Sequence, residues 1–280
     1  MYEILTNRSI IEISGEDALK FLQNLTTNDI KIADYCYAYM LNNQGRYLFD
    51  FFIFTISSKQ FLIDINSSQV ELFKSHLIMY KLRAKIEIKE VSNIYHIVYS
   101  HHQPDFVYLS ARKDPRYNLL GYRSIVRVEV LAKSQEIDIE EKELYLQDKY
   151  KFVIVDGAED LIYNKSIPIE YGAEELNSIS YTKGCYIGQE VISRAKYQGV
   201  VRKKIFNLSS DIDLSFLKKG DEITINDIKI GNVCSSYQKH AIALIREELY
   251  LESPEKIAMA GGVTGFLSVP PWRVKSAIYV

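Results

Sequence analysis

Apolar residues first fall into a helical rhythm at Ala18, Leu22 and Leu25, one face of a helix that follows Ser14-Gly15-Glu16-Asp17. Ser14 stands where a cap is expected, and the two carboxylates face the helix's positive end. The polar run Thr26-Thr27-Asn28-Asp29 closes this helix in a loop of short hydrogen-bonding side chains, where the threonines read as local turn chemistry. Asn42-Asn43-Gln44-Gly45 is a turn signal, after which Arg46 to Ile56 is strongly strand-forming and Ser57 to Gln60 turns the chain into Phe61 to Ile65, a hairpin. Ser68-Gln69-Val70-Glu71 has capping-box spacing, and Val70, Phe73, Leu77 and Tyr80 continue as the apolar stripe of a second helix. Ile86 to Val91, Ile94 to Tyr99 and Phe106 to Leu109 read as further strands, which makes an α+β unit.

Pro and Gly then punctuate the chain at Asp114-Pro115-Arg116 and Gly121-Tyr122-Arg123, a connection returning to an earlier domain. Ser124 to Leu131 is strand-like and Ile137 to Tyr150 amphipathic and helical. Beyond Gly199 short β segments alternate with turns at Lys219-Gly220-Asp221, Asn226-Asp227, Gly231-Asn232 and Gly261-Gly262, the pattern of a small β-barrel. With 280 residues the chain exceeds what one core usually organises. The expected division is 1–40, the first part of one domain; 41–115, a second α+β domain; 116–200, the returning part of the first; and 201–280, the barrel.

Composition narrows the function classes. Apolar residues make up 47% and charged residues 25%, ordinary values for a folded chain. A net charge of −2 excludes a strongly basic whole-protein field, so any nucleic-acid role has to rest on a local patch. No uninterrupted apolar run reaches the length of a bilayer span, which argues against a membrane role. Three widely separated cysteines, Cys36, Cys185 and Cys234, make neither a disulfide framework nor a four-cysteine metal cage. With no secretory or Arg-rich pattern over Met1 to Ile13, a reducing, cytoplasmic location is expected. His76, His96, His101, His102 and His240 show no metal-ligand spacing, and the His101-His102 pair reads as a surface loop.

The chemistry concentrates in Lys183-Gly184-Cys185-Tyr186-Ile187-Gly188-Gln189-Glu190. Glycines on both sides of Cys185 permit tight turns and close approach to the sulfur. Lys183 stands two residues away, where its charge favours a thiolate over the free thiol's pKa of about 8.5. An inert cysteine packed beside Tyr186 and Ile187 is an equally good reading of these residues alone. Gln189 and Glu190 offer an amide and a carboxylate able to read a donor and acceptor edge, or simply open a helix.

Residues 183 to 199, K-G-C-Y-I-G-Q-E-V-I-S-R-A-K-Y-Q-G, closely resemble the signature of the YgfZ family, folate-binding relatives of the glycine-cleavage aminomethyltransferase. Ser14-Gly15-Glu16-Asp17 through Thr27-Asn28-Asp29, Gly45-Arg46, Asp114-Pro115-Arg116 with Gly121 and Arg123, and Pro168-Ile169-Glu170 stand in the expected order, so the similarity spans most of the chain. The resemblance implies a three-domain, aminomethyltransferase-like α+β ring with a central channel and a C-terminal β-barrel. It further implies tetrahydrofolate or a derivative as cofactor, no stably bound metal, and a part in assembling or repairing iron–sulfur proteins through transient carrier or client partners. Carried over residue by residue, Cys185 and Lys183 are the reactive pair. The cofactor-binding candidates are Asn28, Asp29, Gly45, Arg46, Glu170, Tyr186, Gln189, Glu190 and Arg194.

True aminomethyltransferases resemble this chain in fold but carry paired aspartates shortly after a Gly-Gly. Here the stretch reads Gly45-Arg46-Tyr47-Leu48-Phe49-Asp50, and a benzyl group at Phe49 can neither accept a proton nor stabilise a developing iminium charge. Their pterin-binding glutamate falls near Lys151, with the opposite charge. Asp50 reads equally well as a structural residue. Three functions remain open: an accessory factor in which the soft Cys185 thiolate engages a partner's sulfur or cluster iron, a folate-dependent one-carbon transferase with Cys185 as nucleophile, and a transfer-RNA modification factor using Arg194, Lys196, Arg202, Lys203 and Lys204. Scattered surface cations need no ligand, so nucleic acid is the least favoured partner.

Overall fold

The computed structural model describes residues 1–133, 143–199 and 201–274. Along the chain run β1 (Glu3–Ile4), β2 (Arg8–Ser14), α1 (Ala18–Leu25), β3 (Tyr35–Leu41), β4 (Tyr47–Ser57), β5 (Gln60–Asn66), α2 (Val70–Lys81), β6 (Glu87–Glu90), β7 (Tyr95–Ser100), β8 (Ser110–Lys113) and β9 (Tyr122–Arg127). After them come the helices α3 (Val128–Lys133), α4 (Leu144–Phe152), α5 (Gly157–Asp160) and α6 (Gln189–Tyr197). Five strands form a sheet in the order β3-β4-β5-β2-β6, and four form a second in the order β1-β7-β9-β8. The remaining strands, β10 (Lys203–Ser209), β11 (Glu222–Ile225), β12 (Ile228–Tyr237), β13 (His240–Arg246), β14 (Ile257–Ala260) and β15 (Val263–Ser268), close the expected barrel.

Alternation puts β4 between two cores. Phe49 and Phe51 face α1 and α2, with Phe49 edge-on to Phe73, while Phe52 and Phe54 face the second sheet. That explains why Tyr47 to Phe54 is buried on both sides and reads as a continuous apolar run. β2 and β3, which come from the first forty residues, pair with β5 and β4, so the division expected at residue 40 falls within one sheet.

Several local expectations need correction. Ser14 ends β2 rather than capping α1. The cap before α2 is Asn66, whose side chain accepts from the Ser68 amide, and one turn of 3-10 helix at Ser67–Gln69 intervenes. The strand placed at Phe106 to Leu109 lies at Ser110–Lys113, and the segment read as a strand through Leu131 turns helical at Val128. Of the helix read over Ile137 to Tyr150, the first part lies outside the described residues and the rest belongs to α4. His101 and His102 do lie in an exposed loop, as expected, and His101 Nε2 lies 3.0 Å from the Asp148 carboxylate.

The largest correction concerns Asp114-Pro115-Arg116 and Gly121-Tyr122-Arg123. Arg116 and Arg123 are only 1% exposed. The Arg116 guanidinium donates to both oxygens of Asp114 and to Asp156, and lies 4.8 Å from the Phe52 ring centroid. Arg123 donates to Asp64 from Nε and Nη2 at 3.0 and 2.8 Å, and Arg8 donates to the other oxygen. Lys149 is fully buried among Asp156, Glu159 and Asp160, and Ser235 of β12 donates to Asp160, which ties the barrel to the body. Trp272 completes that attachment, donating from Nε1 to the Phe152 and Val153 carbonyls. Its ring fills the space beside Gly172, where a Cβ would lie 2.4 Å from Cη2.

Burial alone would raise the Asp64 pKa, but Arg123 and Arg8 outweigh it and hold the carboxyl below its usual value. This contribution to stability is present above the unfolded carboxylate pKa and is lost as pH falls through the lower folded one. Replacing Asp64 by Asn strands two guanidiniums, so denaturant unfolding at neutral pH should show a loss of about 3–5 kcal/mol. The parent should also lose more stability than the variant when acidified below about pH 4.

Candidate functional site

The loop from Lys183 to Gly188 enters α6, and two features of its sequence set its course. Gly184 (φ 90°) and Gly188 (φ 85°) adopt left-handed backbone conformations on either side of Cys185. Around Gly184 the space is open, whereas a Cβ at Gly188 would lie 2.7 Å from the Asn42 carbonyl oxygen. Gly45, at the tip of the β3–β4 turn, is equally constrained, since a Cβ there would meet Val191 of α6 at 3.0 Å. The turn itself is organised by Asn42, whose side-chain oxygen accepts from the Gln44 and Arg46 amides at 2.8 and 2.9 Å. Two glycines thus let the turn and the start of α6 close against each other.

A chain of long-range bonds fixes the other side of the loop. Ser180 N donates to Thr27 O, Ile187 N to Asn24 O, and Thr27 Oγ1 to Ser178 O at 2.7 Å. The same Thr27 oxygen accepts from the Tyr39 amide, and Asn28 Nδ2 donates to Tyr37 O and Asn177 O. Thr27 therefore joins segments 151 residues apart rather than serving a local turn.

Lys183 sits beneath the loop, 9% exposed. Its ammonium donates to the carbonyls of Gln23, Thr26 and Asn28 and approaches Thr26 Oγ1. These carbonyls belong to the end of α1 and the segment after it, where unsatisfied acceptors and the negative pole of the helix favour a cation. Burial nevertheless pulls the Lys183 pKa down to about 8, against the opposing pull of Asp29 and Cys36. The hydrogen bonds of the amine go to this clamp of backbone oxygens and Thr26, and none of them to Cys185.

Cys185 itself is exposed, whereas Cys36 and Cys234 are buried. Burial raises the Cys36 pKa to about 12 and pushes Cys234 up as well, which keeps both protonated and unreactive. Of the two readings of the cysteine, the structure presents the accessible one. Tyr186, next to it, turns inward, and its hydroxyl is buried without a partner.

The remaining candidates distribute around this loop. Asn28 is a stitching residue, as described. Asp29 accepts from Gln23 Nε2 and the Lys31 amide. Gln189 begins α6, and Glu190 and Arg194 form an exposed i,i+4 pair at 3.0 Å, a contribution of only about 0.3–0.5 kcal/mol. Arg46 leaves the β3–β4 turn on the far side, donates to Lys165 O at 2.9 Å, and lines a cavity with Glu170. Asp50 is 2% exposed and accepts from the hydroxyls of Tyr37 and Tyr47, both at 2.8 Å, while a Cβ at Gly157 would lie 2.2 Å from its Oδ1.

As a folate cradle this set does not fit. Asn28 and Asp29 are satisfied within the protein, Asp50 is packed between two tyrosines, Glu190 and Arg194 pair with each other in solvent, and Arg46 and Glu170 line a cavity to which none of these others contributes. Sequence reading missed Gln23, Asn24 and Val191. Their contributions are backbone carbonyls and a contact surface, which no spacing in the chain reveals.

Residues 5–98 match the family described as GCVT N-terminal domain, and residues 202–275 match CAF17, C-terminal beta-barrel domain. The chain is 30% identical over 226 residues to the mitochondrial iron–sulfur cluster assembly factor IBA57 homolog of Mycosarcoma maydis, covering 72% of this chain and 55% of that one. It is 28% identical over 306 positions to mitochondrial IBA57 of Mus musculus, covering 96% and 84%. The chain spans about half the length of the fungal relatives it matches. The glycine cleavage system aminomethyltransferase T of Bartonella henselae shares the fold, with a TM-score of 0.73 over 96% of this chain and 84% of that chain, at 14% identity. One expectation is overturned here: these assembly-factor relatives are mitochondrial by name and point to mitochondria rather than the cytoplasm. Composition and charge do not separate those compartments.

The clamp under the loop makes a direct prediction. Lys183→Met leaves backbone carbonyls without a donor, each buried one costing about 1–3 kcal/mol. Hydrogen exchange at residues 180–188 should accelerate at least tenfold, while exchange in β12 and β13 stays at the parent rate; an unaltered loop would contradict the clamp.

Proposed function

We propose that this chain, which matches the GCVT N-terminal domain and the CAF17 C-terminal barrel and is similar to the IBA57 assembly factors, is an accessory factor in iron–sulfur protein assembly. The observation that carries this reading is the exposed Cys185 on a loop held rigidly from beneath by Lys183. A thiolate is a soft ligand suited to iron. In the proposed step the Cys185 thiol releases its proton to solvent, and its sulfur forms a bond to one iron of a cluster carried by a partner. One ligand of the carrier leaves that iron, and no electron is transferred. A single thiol supplies one of the four ligands such a cluster takes, so the other ligands remain with the carrier or client and the complex is transient. The cluster is cargo, and the loop's fixed backbone presents the sulfur without an ordering cost at each encounter.

The folate-dependent transferase reading is disfavoured by Asp50. Its carboxylate is enclosed by Tyr37 and Tyr47, and the neighbouring position is occupied by Phe49, which packs on the opposite face against Phe73. No step is assigned to folate, although the fold is that of an aminomethyltransferase.

Complementation tests the proposal. In a cell lacking this protein, the parent should restore the activity of four-iron enzymes, and Cys185→Ser, a change at an exposed position, should fold normally and restore less than a tenth of it. Full rescue by the serine variant would remove the thiol from the function.

A further inference from the structure

A cavity of about 420 Å³ opens at the seam between the barrel and the body, and Cys185 is not part of its lining. Its charged and polar lining comes from four separate segments: Arg46 from the turn, Lys165 and Glu170 from the chain before and within the 3-10 turn Pro168–Tyr171, and Lys203 and Lys219 from the barrel, beside Asn232. Asp160 also reaches it, but that carboxylate already takes Lys149 at 3.1 Å and the Ser235 hydroxyl.

The cations are unusual for having no carboxylate of their own. Elsewhere on the barrel Lys204 pairs with Glu247 and Lys229 with Glu222, both at 2.6 Å. Among the described residues, Arg46, Lys165, Lys203 and Lys219 make no ion pair within 4 Å, and Lys219 instead donates to the Leu161 carbonyl at 2.6 Å. Four positive groups thus face one uncommitted carboxylate, Glu170, across a concave surface. Arg46 is anchored through one nitrogen to the Lys165 carbonyl, which orients the rest of its planar fork for a two-pronged contact with an anion. The volume lies within the range that small-molecule sites occupy.

We propose that this cleft binds a small polyanion, a ligand carrying phosphate or clustered carboxylate groups, and that the bound anion bridges the barrel to the β3–β4 turn. Glu170 sets the strength of binding. Burial raises its pKa, against the pull of Lys203 and Arg46, and loss of its negative charge removes a repulsion that the cleft presents to an anion. The site excludes Cys185 and is independent of the cluster chemistry proposed above.

Isothermal titration of the full chain with inorganic pyrophosphate, and separately with citrate, tests the site and distinguishes its two sources of charge. One-site binding of either probe is expected, weakened at least tenfold in Lys203→Gln/Lys219→Gln, strengthened several-fold in Glu170→Gln, and unaltered in Cys185→Ser. Preference for pyrophosphate assigns a phosphate ligand, and preference for citrate a polycarboxylate. Thermal melting confirms that the variants fold. Absence of binding by both probes, or equal affinity in the double variant, overturns the proposal and leaves the cysteine reading untouched.

Discussion

The Lys183 ammonium is almost withdrawn from solvent and, among the described residues, pairs with no carboxylate; it is held by the carbonyl oxygens at the end of α1 and just after it. Everything distinctive about the site follows from that constraint. Gly184 takes a left-handed turn beside Lys183, and Cys185 stands exposed while the other two thiols are buried. Close packing of Gly45 against Val191 and of Gly188 against Asn42 then fixes where α6 begins. A lysine beside a cysteine invites the idea of an ion pair, but here the lysine's partners are backbone oxygens, and its effect on the sulfur is one of position.

Architecture and catalytic inheritance part company in this chain. The fold is that of an aminomethyltransferase, yet its interior around Asp50 is closed by tyrosine hydroxyls and crossed by arginine and lysine ion pairs. Buried charges of this kind are costly to desolvate and give specificity of arrangement more readily than stability. They make a rigid frame whose outer surface carries the reactive group. The anion cleft and the cysteine loop both meet one turn, Asn42 to Arg46: Arg46 lines the cleft, and Asn42 and Gly45 pack against Gly188.

Local rhythm made much of this legible. The β4–β5 hairpin, α2 and the barrel were readable because period and turn residues act over a few positions, and the glycine-flanked cysteine was visible for the same reason. What stayed hidden depends on contacts across the chain. Arg116 and Arg123 looked like punctuation in a Pro- and Gly-rich connection: Arg116 does pair with the nearby Asp114, but its second acid, Asp156, and the Asp64 partner of Arg123 are 40 and 59 residues away. Thr27 looked like turn chemistry until its hydroxyl was found on Ser178. The partners of Lys183 were hidden because they are carbonyl oxygens, which every residue possesses and no sequence pattern marks.

The central claim is that the Cys185 sulfur enters the coordination of a cluster brought by another protein. Native mass spectrometry under anaerobic conditions, on this protein mixed with a cluster-loaded iron–sulfur carrier, addresses it directly. The account predicts a complex of the two proteins that contains the cluster, that does not form with the cluster-free carrier, and that is absent with Cys185→Ser. A complex that forms equally well without the cluster or without the thiol would contradict it.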